Sequence, residues 1–288
     1  MSVDLHIHSS ASDGTVAPEA LPAMASAAGL SAIALTDHDT VEGVEKFLAC
    51  QQDFPELQLI PGVEFSSRYG ARELHIVGLF IDHQHPELQK LMNLMQQERI
   101  IRAEAMISKL QTLGYQISWD DLRAVGMQGD VPGRPHFAQV LVNKYNFPDN
   151  KSVFERLLKR GAAGYVPRNL PSPEEVIKVI KKASGTAVWA HPFSSHRNEN
   201  NFISRTIREL KIYGLDAIEV YYSEYNDTKT ATALRMIKEY NLAPSGGSDF
   251  HGSIHPDIHL GCGRGNLSVP DSVLNDLLNT RRPKVLIM

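Results

Sequence analysis

Short apolar runs rich in β-branched residues alternate along the chain with longer segments of helical spacing. Runs of this length are typical of buried strands, and their alternation with helices is typical of a mainly parallel sheet. One such helix is predicted over residues 18–28, where an alanine-rich segment ends at Gly29. Seven strands are predicted in this way, over residues 3–8, 32–36, 59–65, 74–81, 186–190, 217–222 and 244–249.

Residues 86–160 break this alternation, because they carry helical patterns and no convincing strand. Apolar residues at helical spacing indicate core contacts rather than a cofactor site, and here they are Leu88, Leu91, Met92, Met95, Leu110 and Leu113. The predicted fold is α/β, a closed or nearly closed TIM-like barrel of seven strands. Residues 1–85 and 161–288 are predicted to form the barrel, and residues 86–160 a helical insertion between its fourth and fifth strands.

Composition narrows the class of protein. The 288 residues are 42% hydrophobic, enough for a sizeable core, and carry a formal net charge of −4. This charge argues against stable binding to long DNA or to anionic membranes, but it leaves a short nucleic acid held at a local site open. The sequence has no signal-peptide pattern and no apolar stretch of about 20 residues, so a cytoplasmic protein is expected. Cys50 and Cys262 are expected to be reduced and are assigned no ligand role.

Two histidines in the first predicted strand give the first chemical signal. His6 and His8 lie two residues apart, so they face the same side of the strand and their rings converge. One histidine alone is more often a structural group, but a converging pair is what a metal ion requires. Asp13 follows five residues later in a Ser-Asp-Gly turn, where an aspartate alone indicates only a turn.

Other predicted strands also end in histidines and acids. The carboxyl ends of parallel strands open on one face of a barrel, so these side chains are expected to meet there. A mixture of imidazole and carboxylate favours a divalent cation, whereas an iron–sulfur or cysteine-rich zinc site has no thiolates to use. The residues at or just past these ends are Asp37, His38, Asp39, Glu64, His191, Asp249 and His251.

His75 does not fit this rule. It lies near the start of the fourth predicted strand, which in a parallel barrel is the end away from the others. Either the interpretation of this strand is slightly wrong or His75 is a structural residue, and the spacing leaves both open.

The motifs taken together resemble the polymerase and histidinol phosphatase (PHP) family. They occur in the family's order and span almost the whole chain: Asp4-Leu-His6-Ile-His8-Ser, Thr36-Asp37-His38-Asp39, Gly62-Val-Glu64, His191-Pro192 and Ser248-Asp249-Phe-His251. The branch of ribonuclease AM and the 3′,5′-nucleoside bisphosphate phosphatases is the most similar. That similarity lies in Ala11-Ser12-Asp13-Gly14, Glu73-Leu-His75-Ile-Val-Gly, Gly133-Arg134-Pro-His136-Phe-Ala and Gly161-Ala-Ala-Gly-Tyr165-Val-Pro.

The resemblance implies a distorted seven-stranded barrel with a trinuclear site, in which two or three divalent cations bind. It implies a first ion held by His6, His8, Glu64 and Asp249, a second held by Glu64, His75 and His191, and a third held by Asp13, His38 and His251. His75 is thus a ligand by resemblance. Many family members have a histidine where this chain has Asp13, and a carboxylate there favours manganese, with Fe²⁺ or Zn²⁺ as alternatives.

The reaction that the resemblance implies is hydrolysis of a phosphate ester by a metal-bound hydroxide, with His191 and Asp249 in the catalytic cluster. Arg134, His136 and Arg160 of the insertion are expected to bind a second phosphate of the substrate. For Arg160 an ordinary solvated charge is an open alternative. Tyr165 could stack on a base or be buried. Asp4, Asp37 and Asp39 are equally well interpreted as supports for the ligand histidines or as capping acids. Glu219, an acid in the sixth predicted strand, could contact the site but is assigned no role.

Three functions are compatible with these features. The preferred one acts on 3′,5′-nucleoside bisphosphates or on the 5′ end of short 5′-phosphorylated RNA, and both substrates present a second phosphate next to the first. The alternative is a small-metabolite phosphatase such as a histidinol phosphatase. A non-catalytic module comes last, because all nine ligand positions are filled.

Overall fold

The computed structural model describes residues 2–125, 132–194 and 200–281. The chain divides into two compact units. The first consists of Met1–Leu91 and Pro171–Met288, and the second of Met92–Leu170. Within the described residues, no helix is long and apolar enough to cross a membrane.

Among the described residues of the first unit there is one eight-stranded sheet. The strands are β1 (Ser2–Ile7), β2 (Leu30–Leu35), β3 (Gln58–Tyr69), β4 (Arg72–Leu79), β5 (Thr186–Trp189), β6 (Ala217–Tyr222), β7 (Ala243–Gly247) and β8 (Val269–Pro270). They lie in the order β7-β6-β5-β4-β3-β2-β1-β8. Seven of them correspond to the predicted strands. The eighth, β8, pairs antiparallel with β1 over two residues, too few to leave a pattern in the sequence.

Backbone contacts between β1 and the end of β7 nearly close this sheet into a barrel. The amide of Asp249 donates to the carbonyl of His6 (2.9 Å), and the amide of His8 donates to the carbonyl of Phe250 (2.9 Å). Gly247 permits this approach, because a Cβ at that position would lie 2.4 Å from the Cβ and the amide nitrogen of His6. The predicted TIM-like α/β barrel is confirmed.

Strand β4 runs opposite to the direction that a parallel barrel requires. It pairs antiparallel with both β3 and β5, and a tight turn at Gly70 (φ 57°) reverses the chain between β3 and β4. The start of β4 therefore lies beside the carboxyl end of β3. The rule for parallel strands, which places His75 at the far end of the barrel, therefore does not apply to β4.

Ten α-helices are found among the described residues. They are α1 (Leu21–Ala27), α2 (Val44–Ala49), α3 (Pro86–Thr112), α4 (Trp119–Ala124), α5 (Arg134–Lys144), α6 (Asn150–Val153), α7 (Pro173–Lys182), α8 (Asn200–Tyr213), α9 (Asp227–Tyr240) and α10 (Ser272–Thr280), and a π-helical turn (Phe154–Leu158) follows α6. Helix α7 shows how the sequence specifies these elements. Ser172 and Glu175 form a reciprocal capping box around Pro173, and the helix buries Val176 and Ile180.

Each unit has its own apolar core. In the first, residues such as Val3, Ala34, Ile60, Val77 and Val188 pack together. In the second, helices α3 to α6 and the π-helical turn pack through residues that include Met106, Leu110, Leu122, Phe137 and Leu158. Most of the predicted apolar stripe is buried, but Leu113 is 42% exposed because it follows the end of α3.

Candidate metal centre

The end of the barrel at which the parallel strands have their carboxyl ends, here called the mouth, gathers the nine residues predicted as ligands. Strands β1, β3 and β4 or the turns after β1, β2, β5 and β7 supply them, so residues far apart in sequence meet in the first unit. They are His6, His8, Asp13, His38, Glu64, His75, His191, Asp249 and His251.

Four of these side chains, from two histidines and two acids, bring their ligand atoms close to one another. The Nε2 atom of His6 lies 3.2 Å from Oε2 of Glu64 and 3.5 Å from Oδ1 of Asp249. The Nε2 atom of His8 lies 3.3 Å and 3.1 Å from the same two oxygens. An ion with tetrahedral ligands at about 2.0–2.1 Å separates those ligands by about 3.3 Å, so the spacing fits a divalent ion.

Glu64 is the centre of the arrangement. It is fully buried, and its Oε2 atom also lies 2.9 Å from Nδ1 of His38. Its other oxygen, Oε1, lies 2.9 Å from Nδ1 of His75 and 3.2 Å from Nε2 of His191. One carboxylate thus contacts five imidazole rings through its two oxygens, an arrangement suited to a carboxylate that bridges two ions.

A third group of possible ligands consists of His8, Asp13, His38 and His251, whose ligand atoms lie within 4.8 Å of one another. Asp13 Oδ1 lies 3.3 Å from Nε2 of His251. His38 also groups with Glu64 and His75. It therefore lies between the second and third positions that the resemblance implies, rather than in the third alone.

Two buried atoms in the mouth test whether these residues fit metal ions. Within the described part of the chain, Oε2 of Glu64 and Nδ1 of His38 have no hydrogen-bond partner, although they lie 2.9 Å apart. Buried polar atoms without partners are rare in folded proteins and call for an explanation such as an ion. In metal sites, two atoms that bind the same ion lie this close together without a hydrogen bond between them. The site therefore fits divalent cations.

The charges of the ligands depend on one another. Burial alone would lower the pKa of His8, but the carboxylates of Asp249 and Glu64 raise it to about 10. Burial would likewise lower the pKa of His75, but the carboxylate of Glu64 raises it to about 10. Burial would raise the pKa of Glu64, yet the surrounding histidines, led by His38, hold it well below its usual value. Ions that bind here must displace the protons on these rings.

The backbone of the mouth adopts conformations that L-residues rarely populate. His191 (φ 34°), Asp249 (φ 58°) and Asp39 (φ 55°) have positive φ angles without being glycine. Such residues persist only where the surrounding structure holds them, and they concentrate at functional sites.

The three aspartates left open by sequence make contacts typical of capping acids. Asp4 accepts hydrogen bonds from the amides of Ser248 and Gly261, both 2.8 Å. Asp37 accepts from the amide and the hydroxyl of Ser9 at 2.8 Å and 2.6 Å. Asp39 accepts from the amide of Ser66 at 2.9 Å. These bonds hold the turns that carry the ligand residues.

The sequence analysis assigned no role to two residues of β6. Oε1 of Glu219 lies 2.7 Å from Nδ1 of His6, and the hydroxyl of Tyr222 donates to Oδ2 of Asp249 at 2.9 Å. A signal for Glu219 was available, since an acid in an otherwise apolar strand requires a buried partner.

The residues predicted to bind substrate lie in the second unit. Arg134 and His136 occupy the first turn of α5, where the guanidinium of Arg134 lies 5.8 Å from the ring centre of Phe154. His136 is buried and its Nδ1 accepts from the amide of Gly133 (3.0 Å), so it also caps the helix. Arg160 is exposed. The carbonyl of Tyr165 accepts from Lys109 (2.8 Å) and its ring lies 5.8 Å from the guanidinium of Arg102.

The barrel and its cluster of histidines and carboxylates define the class of a metal-dependent phosphoesterase, a hydrolase acting on phosphate esters. The PHP domain family matches residues 4–165, and the chain belongs to this family. The family predicted from sequence is confirmed.

Relatives similar over nearly their whole length support this assignment. The chain is 32% identical over 271 residues to a 5′-3′ exoribonuclease of Haemophilus influenzae, covering 94% of this chain and 96% of the relative. It is 33% identical over 253 residues to a 3′,5′-nucleoside bisphosphate phosphatase of Chromobacterium violaceum, covering 87% of each. A solved structure from the latter organism, described as an amidohydrolase with bound sulfate and no metal, superposes with a TM-score of 0.85 at 29% identity and 97% coverage of both chains.

Proposed function

We propose that this phosphoesterase hydrolyses the 5′-phosphate of 3′,5′-nucleoside bisphosphates, removes nucleotides from the 5′ end of short 5′-phosphorylated RNA, or does both. The observation that carries the proposal is the position of Glu64, buried among five imidazole rings at the mouth. The choice of substrate is supported by the relatives, which are named for these two activities and are covered over 87–96% of their length.

The proposed ligands of two or three divalent ions are the nine residues of the mouth. His6, His8, Glu64 and Asp249 would hold one ion, and Glu64 would share a second with His75 and His191. Bound ions would supply activation of water and neutralisation of charge on the phosphoryl oxygens. Manganese is the proposed metal, because Asp13 adds a hard oxygen ligand among the histidines, and Fe²⁺ and Zn²⁺ are the alternatives.

The chain's own contribution is a rigid set of ligands that carries too little negative charge to neutralise the ions. The three ligand carboxylates, from Asp13, Glu64 and Asp249, offset only part of the charge of two or three divalent ions, so the mouth attracts a phosphate dianion. His191 and Asp249 contribute as ligands whose backbone conformation is already fixed by the fold. Their side chains therefore need no rearrangement before the reaction.

For the second unit we propose a role in substrate selection. Arg134, His136 and Arg160 would recognise the phosphate that follows the scissile one, because a guanidinium can contact a phosphate through two hydrogen bonds.

The cytoplasmic location expected from the sequence stays a prediction.

A panel of substrates with added manganese tests the proposed function. Adenosine 3′,5′-bisphosphate, AMP, histidinol phosphate and a 5′-phosphorylated RNA trimer would be compared by kcat/KM. We expect the bisphosphate or the RNA to exceed AMP by about 10-fold or more, since a recognised second phosphate adds a charge-assisted contact. Turnover of histidinol phosphate alone would establish the small-metabolite alternative and exclude the proposal.

Substitution of Arg134 tests the source of this preference. The Arg134→Ala variant is expected to lose about 10–100-fold in kcat/KM on adenosine 3′,5′-bisphosphate, because one charge-assisted contact is removed, and to lose much less on AMP. Arg156→Ala is the matched control, since Arg156 is an exposed arginine of the same unit that lies over Phe147. Equal losses on both substrates would show that Arg134 does not read the second phosphate.

A further inference from the structure

Strand β6 contains a β-bulge between Glu219 and Tyr221, near its carboxyl end. Its pairing with β7 runs from Glu219 opposite Ser245 to Tyr221 opposite Gly246, so Val220 is an extra residue on β6. In a regular strand, residues 219 and 222 would face opposite sides. The bulge reverses this alternation, and both Glu219 and Tyr222 point to the proposed ligands.

Glu219 contacts two proposed ligands with its two oxygens. It is 1% exposed, and its Oε1 atom lies 2.7 Å from Nδ1 of His6. Its Oε2 atom accepts a hydrogen bond from the backbone amide of His191 at 2.6 Å. A single buried carboxylate therefore joins the ring of one ligand to the backbone of another.

The contact with His6 decides which ring nitrogen is available to an ion. A carboxylate only accepts hydrogen bonds, so the proton of the neutral imidazole is held on Nδ1 and the lone pair on Nε2. That nitrogen faces Glu64 Oε2 at 3.2 Å. Glu219 therefore presents His6 to the first proposed ion in the tautomer that can bind it.

The contact with His191 acts on the backbone instead. His191 has a φ of 34°, which is strained for a residue with a side chain. The bond from its amide to Glu219 is one of the contacts that hold this conformation. With its backbone so held, the ring of His191 lies with Nε2 3.2 Å from Oε1 of Glu64.

Tyr222 completes the arrangement on Asp249. Its hydroxyl donates to Oδ2 at 2.9 Å, while Oδ1 of the same carboxylate faces Nε2 of His8 at 3.1 Å. The hydrogen bond occupies one oxygen and leaves the other for the ion. The ring of Tyr222, largely buried, also lies 5.3 Å from the ring of His191.

We propose that the bulged end of β6 positions the metal ligands, with Glu219 setting the affinity for metal through His6 and His191 and Tyr222 directing one oxygen of Asp249. The inference rests on the proposed metal centre and adds to it two residues that are not ligands. The capping acid Asp4 gives a useful contrast, since it is equally buried but accepts from backbone amides, those of Ser248 and Gly261 and, at 3.4 Å, that of His6, and so holds backbone rather than a ligand ring.

The test is the manganese affinity and stoichiometry of the variants Glu219→Gln and Tyr222→Phe. Protein freed of metal would be titrated with Mn²⁺, the free ion followed by its electron paramagnetic resonance signal, and bound metal counted by mass spectrometry. Glu219→Gln keeps the shape but cannot accept at both contacts, so we expect affinity for at least one ion to fall about 10–100-fold. Activity should return towards the wild-type kcat when Mn²⁺ is raised to saturation.

Glu209→Gln is the matched control. Glu209 lies on α8 and accepts hydrogen bonds from the hydroxyls of Tyr69 and Tyr213, neither of which is a proposed ligand, so its variant should bind Mn²⁺ as the wild type does. Tyr222→Phe removes one hydroxyl and keeps the ring, and we expect a smaller fall in affinity, about 3–10-fold. This variant decides the question if circular dichroism shows that Glu219→Gln does not fold.

Wild-type affinity in both variants would overturn the proposal. So would a folded Glu219→Gln protein that binds Mn²⁺ normally but stays slow at saturation, because its defect would then lie outside metal positioning. Failure of the metal centre itself is distinguishable, since the wild-type protein would then bind no Mn²⁺ at all.

Discussion

Replacing Glu64 by glutamine abolishes at least one ion site and lowers kcat/KM on a phosphomonoester by about 10³-fold or more. The carboxylate is fully buried, and its oxygens lie within 3.3 Å of five imidazole nitrogens. Glutamine has nearly the same shape but is neutral. One carboxylate oxygen is replaced by an amide NH₂ group, which cannot bind an ion. Metal content and steady-state kinetics of the purified variant measure both effects.

Glu56→Gln is the control for this substitution. Glu56 is an exposed glutamate just before β3, at the end of the barrel away from the mouth, whereas Glu64 lies within the same strand. The control should keep wild-type metal content and activity. A Glu64→Gln protein with full metal content and near-wild-type activity would contradict the bridging role of Glu64.

Removal of metal by a chelator is expected to have a comparable effect. Protein dialysed against a chelator and then freed of it should lose about 10³-fold or more of its activity, because the residues of the mouth depend on bound ions for the activation of water. Added Mn²⁺ should restore the activity. It should also stabilise the fold, since an ion at about 100 times its Kd adds about 2.7 kcal/mol per site to the free energy of unfolding.

Thermal unfolding with and without Mn²⁺ is the independent measurement of this binding. The melting temperature should rise with Mn²⁺ in the wild type and rise less in Glu64→Gln. Full activity of protein shown by mass spectrometry to be free of metal would contradict the account, whatever the effect of the chelator.

Much of the mouth was predictable because its residues form local patterns. The pair His6 and His8 follows from the two-residue period of a strand, and Asp249 and His251 follow from their place after a strand. Such features depend on a few neighbouring residues. The resemblance to a family supplied the grouping into ion sites, which the pattern alone left open.

The features that could not be predicted depend on contacts between distant segments. His75 looked misplaced because the direction of β4 is set by its pairing with β3 and β5, which an apolar run does not encode. Glu219 acquires its role from a bulge and from contact with His6, more than 200 positions earlier. Capping by Asp4 and Asp37 is equally non-local, since each acid holds amides of other segments.

The positions of bound ions test the central claim most directly. Crystals grown with Mn²⁺ and measured at the manganese absorption edge would locate each ion by anomalous scattering. The account predicts two or three peaks at the mouth, one of them enclosed by His6, His8, Glu64 and Asp249 and another next to Glu64 and His75. Peaks only at other places on the protein, or none at saturating Mn²⁺, would contradict it.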